Sequence, residues 1–261
     1  MKVLFITQDD PIYVKEFFDE LLIAERNDIT IAGIVMAPPM GKQTLKDLII
    51  QMWSFYGPVD FVRMGLRFVT TKVKARAPKA LRFGHCFTIG QLAHSWGIPV
   101  TYVRSLNDPA FVDSVKQQGI DVVVSVAAPQ IIKTPLIQAP RRACINIHNG
   151  TLPRYRGMLP NFWQMYDGNR TVGTTVHLIN EGIDDGAILH QEETELLPNE
   201  SLDAVIRRTK RKGTAAVLKV LRQLRDGTAV EKTNKRDDGS YFSFPTRADV
   251  VEFRRRGHKL L

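Results

Sequence analysis

The chain has 261 residues, 44% of them hydrophobic and 24% charged, with two cysteines and a formal net charge of +9. That composition excludes a disordered or fibrous chain, and the length suffices for a substantial core, as one domain or as a main domain with an appendage. The charge favours anionic partners (phosphates, nucleic acid or an acidic membrane surface) without choosing among them, and the widely separated Cys86 and Cys144 read as reduced thiols of a cytoplasmic protein.

The opening "MKVLFITQDD" has too short an apolar run for a signal peptide, and no stretch approaches the roughly 20 apolar residues that span a bilayer. "KVLFIT" reads as a strand and "DDPIYVKEFFDELLIAE" as the helix after it, with Asp before Pro at its start. Further strands are expected at Asp28–Val35, Ile98–Val103, Asp121–Ala127 and Ala143–His148, with helical patterns such as "IGQLAHSWG" and "DPAFVDSVKQQG" between them. Strands that are apolar on both faces and alternate with helices imply an α/β fold with a parallel sheet wound in βαβ units. Ligands of such sheets gather at the carboxyl ends of the strands.

The interval from about residue 37 to 87 is far longer than a crossover helix requires. Leu45, Leu48, Ile49, Met52, Trp53 and Tyr56 fall at helical spacing and Pro58 interrupts. Phe61, Val62, Leu66 and Val69 then continue the pattern, before a basic run of Lys72, Lys74, Arg76, Lys79 and Arg82. This insertion reads as an amphipathic helical pair packed on the core or a sister subunit, as a lid over substrate, or as a membrane-surface helix with a basic flank.

"MLPNFWQMYDG" reads as a helix, and "VGTTVHLI" and "AILHQEETEL" as two strands joined by "NEGIDDG", in which Asp-Asp-Gly is a turn signal. "SLDAVIRRTKRKGTAAVLKVLRQLRDG" reads as one long helix with a serine cap and basic residues on its outer face. These patterns suggest a core over residues 1–198 and a C-terminal helix and tail over 199–261. The alternating "SYFSF" reads as an edge strand able to pair with another chain, so a homodimer is expected.

The chemistry lies in "INIHNGTLPRYRG", residues 145–157. Strand alternation sends Asn146 and His148 to one side and Ile147 to the other. Gly150 and Pro153 then shape a loop whose main chain can approach a flat ligand closely. Asp184 and Asp185 sit in a turn at the end of an adjacent strand and can reach the same place. An amide, an imidazole and a carboxylate together suit acyl transfer to an amine, as oxyanion donor, general base and orienting charge, with no Ser or Cys nucleophile. Taken singly, each has a plainer reading: a hydrogen-bonded structural histidine and a simple turn.

From Asn146 to Gln191, Asn-x-His, "GTLPRYRG" and "GTTVHLINEGIDDGAILHQ" together resemble the catalytic signature of the folate-dependent formyltransferases, and the resemblance extends more loosely over residues 1–197. It implies a Rossmann-like core with a mostly parallel twisted sheet, a helical insertion and a short C-terminal helix plus tail. It also implies N10-formyltetrahydrofolate as donor, tetrahydrofolate as product and no metal. The implied catalytic set is Asn146, His148 and Asp184, the family's x-D-x-G turn selecting Asp184 over Asp185. The same resemblance suggests folate contacts at Gly150, Thr151, Leu152 and Pro153, and a pterin pocket lined by "SVAAPQII", with Gln130 and Ile131 among its residues.

Members of this family formylate methionyl-tRNA, glycinamide ribonucleotide or nucleotide-linked amino sugars, and relatives hydrolyse the donor. The barrel domain of the tRNA enzymes is not expected within residues 199–261, nor the hydrolases' regulatory domain before the first strand. "ITQDDPIYV" also lacks the glycine-rich phosphate loop of the ribonucleotide enzymes. The expected acceptor is therefore a nucleotide-linked amino deoxysugar for surface polysaccharide such as lipopolysaccharide O-antigen, with Arg154 and Arg156 as substrate contacts. The alternatives are a methionyl-tRNA formyltransferase, and a non-catalytic nucleic-acid or membrane-surface binding protein on the same fold that uses "RRTKRK" and "FRRRGHK". In the favoured reading neither a nucleic-acid partner nor a transmembrane segment is expected.

Overall fold

The computed structural model describes residues 1–24, 29–39 and 44–261. The first apolar run becomes β1 (Lys2–Thr7), followed by α1 (Val14–Ala24), β2 (Thr30–Met36), α2 (Leu45–Arg76), α3 (Ile89–Ser95), β3 (Val100–Tyr102), α4 (Pro109–Gln117) and β4 (Val122–Val126). Then come α5 (Thr134–Ile137), β5 (Ala143–His148), β6 (Arg156–Gly157), α6 (Pro160–Tyr166), β7 (Thr171–Leu178) and β8 (Ile188–Glu195). The chain ends with α7 (Leu202–Asp226), β9 (Tyr241–Phe242) and α8 (Arg247–Arg255). Asp28, read above as the start of the second strand, lies outside the described residues, as do the side chains of Leu45 and Lys79.

The main sheet has seven strands in the order β3-β2-β1-β4-β5-β7-β8. β1 to β5 pair in parallel, whereas β7 runs antiparallel to both β5 and β8. This is the mostly parallel α/β fold expected from sequence. Alternation along β1 explains its two covered faces. Val3 and Phe5 pack with α1, α3 and α7, and Leu4 and Ile6 with α4 and α5. β3 is shorter than the run 98–103 because Pro99 has no N–H for the ladder; its carbonyl still accepts from Ile34 N at 2.9 Å.

α2 is a helical pair, as its sequence suggests: Gly57 adopts φ 69° ahead of Pro58 and breaks the helix into two arms. Only its inner side packs on the protein. Phe55 is buried against Phe162 and Phe244, while Arg67 pairs with Asp203 at 3.0 Å and Lys72 with Asp9 at 3.1 Å.

Three expectations are corrected. The suggested boundary at residue 198 does not mark a separate core, because Ala216, Val217, Val220 and Leu221 of α7 pack in the same cluster as β1, β4 and β5. The basic residues of α7 are not simply an outer face: Arg207 reaches Glu16 at 2.6 Å and Asp203 at 3.0 Å, Arg208 binds Glu200, and Lys210 turns into a cavity. The "SYFSF" stretch is not a free edge, since β9 pairs in parallel with β6 of the same chain. The Phe242 ring stacks on Trp163 and Tyr155 at 4.7 and 5.7 Å, which removes the sequence ground for a dimer through that strand. Among the described residues, no helix is long and apolar enough to cross a membrane.

Candidate active site

β5 is the last strand of the parallel run, and β7 on its other side is antiparallel. Ile147 faces α7, where Gly213 leaves room for it: a Cβ on Gly213 would approach Ile147 Cδ1 to 2.5 Å. Asn146 and His148 therefore share the opposite face. In register, Asn146 is matched by His177 of β7.

The hydrogen bonds fix the state of each group. His148 Nε2 lies 2.7 Å from the carbonyl oxygen of Tyr155, which only accepts, so Nε2 carries the proton. Nδ1 of the neutral ring is then a free lone pair, 3.5 Å from Asp184 Oδ2. His177 Nδ1 donates to Leu178 O at 2.7 Å, leaving Nε2 to accept from Asn146 Nδ2 at 3.1 Å. Asn146 Nδ2 is also 3.5 Å from Asp184 Oδ1. Gly157 N–H donates to Asp184 Oδ2 at 3.0 Å, and Asn234 Nδ2 holds the turn through the carbonyls of Asp184 and Gly186 at 3.0 and 2.9 Å. Asp185 turns the other way and pairs with Arg236 at 2.9 Å.

Electrostatics follow from burial and these partners. Burial pushes the His148 pKa below its usual 6.5, outweighing the opposing pull of Asp184, so the ring is neutral at pH 7. Burial alone would raise the Asp184 carboxyl. At the low pH where it titrates, attraction to the protonated rings of His148 and His177, together with the Gly157 N–H, more than offsets that and holds it well below the usual carboxylate range. The site thus pairs a neutral base with a fixed anion. The surrounding backbone is strained: Ala127, Tyr155, Leu159 and Asp184 have φ of 51°, 61°, 49° and 52°. Each costs about 1–2 kcal/mol, a cost that clusters where geometry is held for function.

Asn146, His177 and Asp184 line one cavity, and a second cavity adjoins it. The first, about 410 Å³, is lined by residues including Ser125, Gln130, Ile131, Asn146, Met158 and Asp184. The second, about 200 Å³, lies where the chain leaves β1 and β4, the point at which strand order reverses, and is lined by residues including Gln8, Asp10, Tyr13, Phe55, Tyr56 and Lys210. Burial pushes the Lys210 ammonium down to about 8 against the opposing effect of Asp10. Ala127 and Leu159 line the second cavity while their chain neighbours Ala128 and Met158 line the first, so the two are adjacent.

The other sequence-predicted residues are placed differently. Ile131 is exposed on the first cavity. Gln130 lines it too, but its amide is engaged by Leu106 N and the carbonyls of Pro38 and Arg104, so it pins loops together. Gly150, Thr151, Leu152 and Pro153, expected as folate contacts, are like His148 not among the residues lining these two cavities. Thr151 Oγ1 donates to Gln164, Thr175 Oγ1 donates to Gly150 O, and Gln191 donates to Leu152 O. A Cβ on Gly150 would come within 2.7 Å of His148 Nε2, so this glycine seats the ring. Arg154 lies over the Tyr155 ring at 5.8 Å, and Arg156 is buried, donating to Arg236 O at 2.8 Å. Neither Arg154 nor Arg156, expected as substrate contacts, is among the residues lining these two cavities. Sequence reasoning missed His177 and Lys210. The alternation of "TTVHLI" makes His177 face with Thr175, but only the β5–β7 register sets it beside Asn146.

A family model described as formyl transferase matches residues 73–221, a span that contains Asn146, His148, His177 and Asp184. The chain is 36% identical over 132 residues to the methionyl-tRNA formyltransferase of Syntrophus aciditrophicus (strain SB), covering 51% of this chain and 42% of that protein. It is 29% identical over 153 residues to that of Clostridioides difficile (strain 630), covering 59% and 50%. The match thus spans about half the length, or less, of these curated relatives. Among solved structures, a sugar N-formyltransferase from Shewanella sp FDAARGOS_354 superposes with a TM-score of 0.59 at 20% identity, covering 97% of this chain and 87% of that one. Glycinamide ribonucleotide transformylase 1 from Symbiobacterium toebii gives 0.60 at 14%, covering 90% and 92%. A 4-N formyltransferase from Francisella tularensis gives 0.54 at 18%, covering 93% and 76%. At these identities the structural likenesses show the fold.

Proposed function

Because this chain belongs to the formyl transferase family, we propose that it moves a formyl group from N10-formyltetrahydrofolate to the amine of a nucleotide-linked amino deoxysugar, in the cytoplasm and for surface polysaccharide. The observation that carries this reading is the cluster of Asn146, His148 and Asp184, of which Asn146 and Asp184 line the first cavity and His148 lies buried directly behind Asp184.

The first cavity suits the donor. Its volume of about 410 Å³ falls in the range of small-molecule sites, and Ile131 and Met158 offer apolar surface to a flat ring beside the polar groups of Asn146 and Asp184. When bound, the donor supplies an activated formyl carbon. His148 Nδ1 is the base that takes a proton from the attacking amine, because Nε2 is already tied to Tyr155 O. The imidazolium so formed faces the Asp184 carboxylate, which stabilises it, and as the formyl carbon's bond to the folate nitrogen breaks the proton passes to that departing nitrogen. Asn146 gives one Nδ2 hydrogen to His177; the other, only loosely directed at Asp184, is available to the oxygen that gains charge. Gly157 N–H keeps Asp184 in place.

The second cavity suits the acceptor. Tyr13, Phe55 and Tyr56 offer aromatic faces to a sugar, and the Lys210 ammonium offers a charge to a phosphate. A solved sugar N-formyltransferase and a solved 4-N formyltransferase superpose over 97% and 93% of the chain. The second reading, transfer to methionyl-tRNA, draws on the names of the curated relatives. "RRTKRK" and "FRRRGHK" give it little support. Arg207, Arg208 and Arg211 are paired with Glu16, Asp203 and Glu200, and Arg254, Arg255 and Arg256 with Asp60 and Glu252. The test is incubation with N10-formyltetrahydrofolate and a panel of UDP-, dTDP- and GDP-linked amino sugars alongside methionyl-tRNA. Formylation of a sugar nucleotide is the expected result, and formylation of the tRNA alone would establish the second reading.

A further inference from the structure

The second arm of α2 carries an apolar stripe that points away from the protein. Val59, Val62, Leu66, Val69 and Val73 recur at spacings of three and four residues, and each is between 54% and 62% exposed. The opposite side of the arm is the one that docks: Asp60 pairs with Arg254 at 2.9 Å, Arg67 with Asp203 and Lys72 with Asp9. At 100° per residue, Lys74 and Arg63, the latter paired with Asp60 at 3.4 Å, fall along one edge of the stripe and Arg76 along the other. Among the described residues, Lys74 and Arg76 have no ion-pair partner, and Asp60, the one acid within 59–76, faces inward. Immediately beyond the helix, Leu81 and Phe83 are 64% and 85% exposed on either side of Arg82.

We propose that this outer face of α2 docks on an anionic phospholipid bilayer, with the helix lying in the plane of the interface. The valines and Leu66 enter the boundary between headgroups and acyl chains, and the basic edges meet lipid phosphates. The charge pattern selects this occupant. Pairing the stripe with that of a second copy would bring Lys74 and Arg76 of both copies together while Asp60, the one acid of the arm, is already taken by Arg63 and Arg254, which is repulsive. A transmembrane role is excluded for this helix, which is not apolar enough to cross. The inference does not depend on which amine is formylated.

The test is flotation of the purified chain with vesicles of phosphatidylcholine alone and with a third of that lipid replaced by phosphatidylglycerol. The wild type is expected to bind the anionic vesicles about tenfold more strongly, since each basic residue near such a surface contributes several-fold, and to lose that preference in high salt. Leu66→Glu with Val69→Glu should abolish flotation. Lys74→Glu with Arg76→Glu, at positions exposed enough to leave folding intact, should remove the anionic preference. Both variants should keep wild-type formyl transfer to a soluble acceptor. Equal flotation on both vesicles, no flotation, or undiminished flotation of both variants would overturn the proposal. So would a wild-type dimer in sedimentation that the Leu66 and Val69 variant dissolves, which would assign the face to a second copy.

Discussion

In the proposed transfer, the tautomer of His148 decides the chemistry at the residue scale. Its Nε2 is held by Tyr155 O, so only Nδ1 can act as base, and that atom looks at Asp184. His148→Ala should lower kcat by on the order of a hundredfold or more in a formyl-transfer assay, with the fold retained by circular dichroism. Burial sets the wild-type histidine below 6.5, so the acid limb of kcat/KM should lie below that value. Asp184 pulls the His148 pKa upward; Asp184→Asn removes that pull, and the limb should move to lower pH while kcat falls. An unmoved limb would separate Asp184 from His148. His177→Leu leaves the Asn146 amide without its acceptor and should cut kcat about tenfold, the equivalent of one lost buried hydrogen bond. Strand alternation picks out Asn146 and His148, and the turn offers Asp184 or Asp185, between which only the family resemblance chooses, whereas His177 cannot be found this way. Its role depends on the antiparallel register of β7 against β5, which no local pattern encodes.

Glycines and aromatic stacks position the site at the scale of elements. Gly150→Ala would push a methyl group into the His148 ring, so turnover should fall more than thermal stability does. The C-terminal elements are held by rings: Phe253 of α8 is fully buried and stacks on Phe162 at 4.5 Å. Phe253→Ala should cost about 3–5 kcal/mol in urea unfolding, the usual range for emptying such a position. The α2 break at Gly57 and Pro58 was visible in the sequence because both residues oppose a continuous helix. The destination of the tail was not visible. β9 is a two-residue strand, too short for any periodicity, and its partner β6 is equally short. Lys210 was misplaced for a related reason, because helical spacing says which side of α7 it takes but not that β1 and β4 leave a cavity there.

For the whole molecule, the α/β class and most of its strands could be read from the sequence because the central strands are apolar on both faces and helices separate them. What resisted prediction was long-range: which loops meet, and where the cations find partners. The +9 charge suggested broad anion binding, yet much of the α7 and α8 basic sequence is internally paired. The depressed Asp184 pKa links folding to pH. Its contribution to stability is present above the unfolded value of 3.8 and is lost as pH falls through the lower folded value, so Asp184→Asn should flatten acid unfolding below pH 3.8. The central claim, a formyl transfer in which His148 is the base, is tested most directly by one side-by-side assay. Wild type and His148→Ala are each given N10-formyltetrahydrofolate and the sugar-nucleotide panel, and the acceptor is read by mass. The account predicts a formyl mass gain on a nucleotide-linked amino sugar with wild type and nearly none with the variant. Equal gain with both, or no formylated acceptor with wild type, would contradict it.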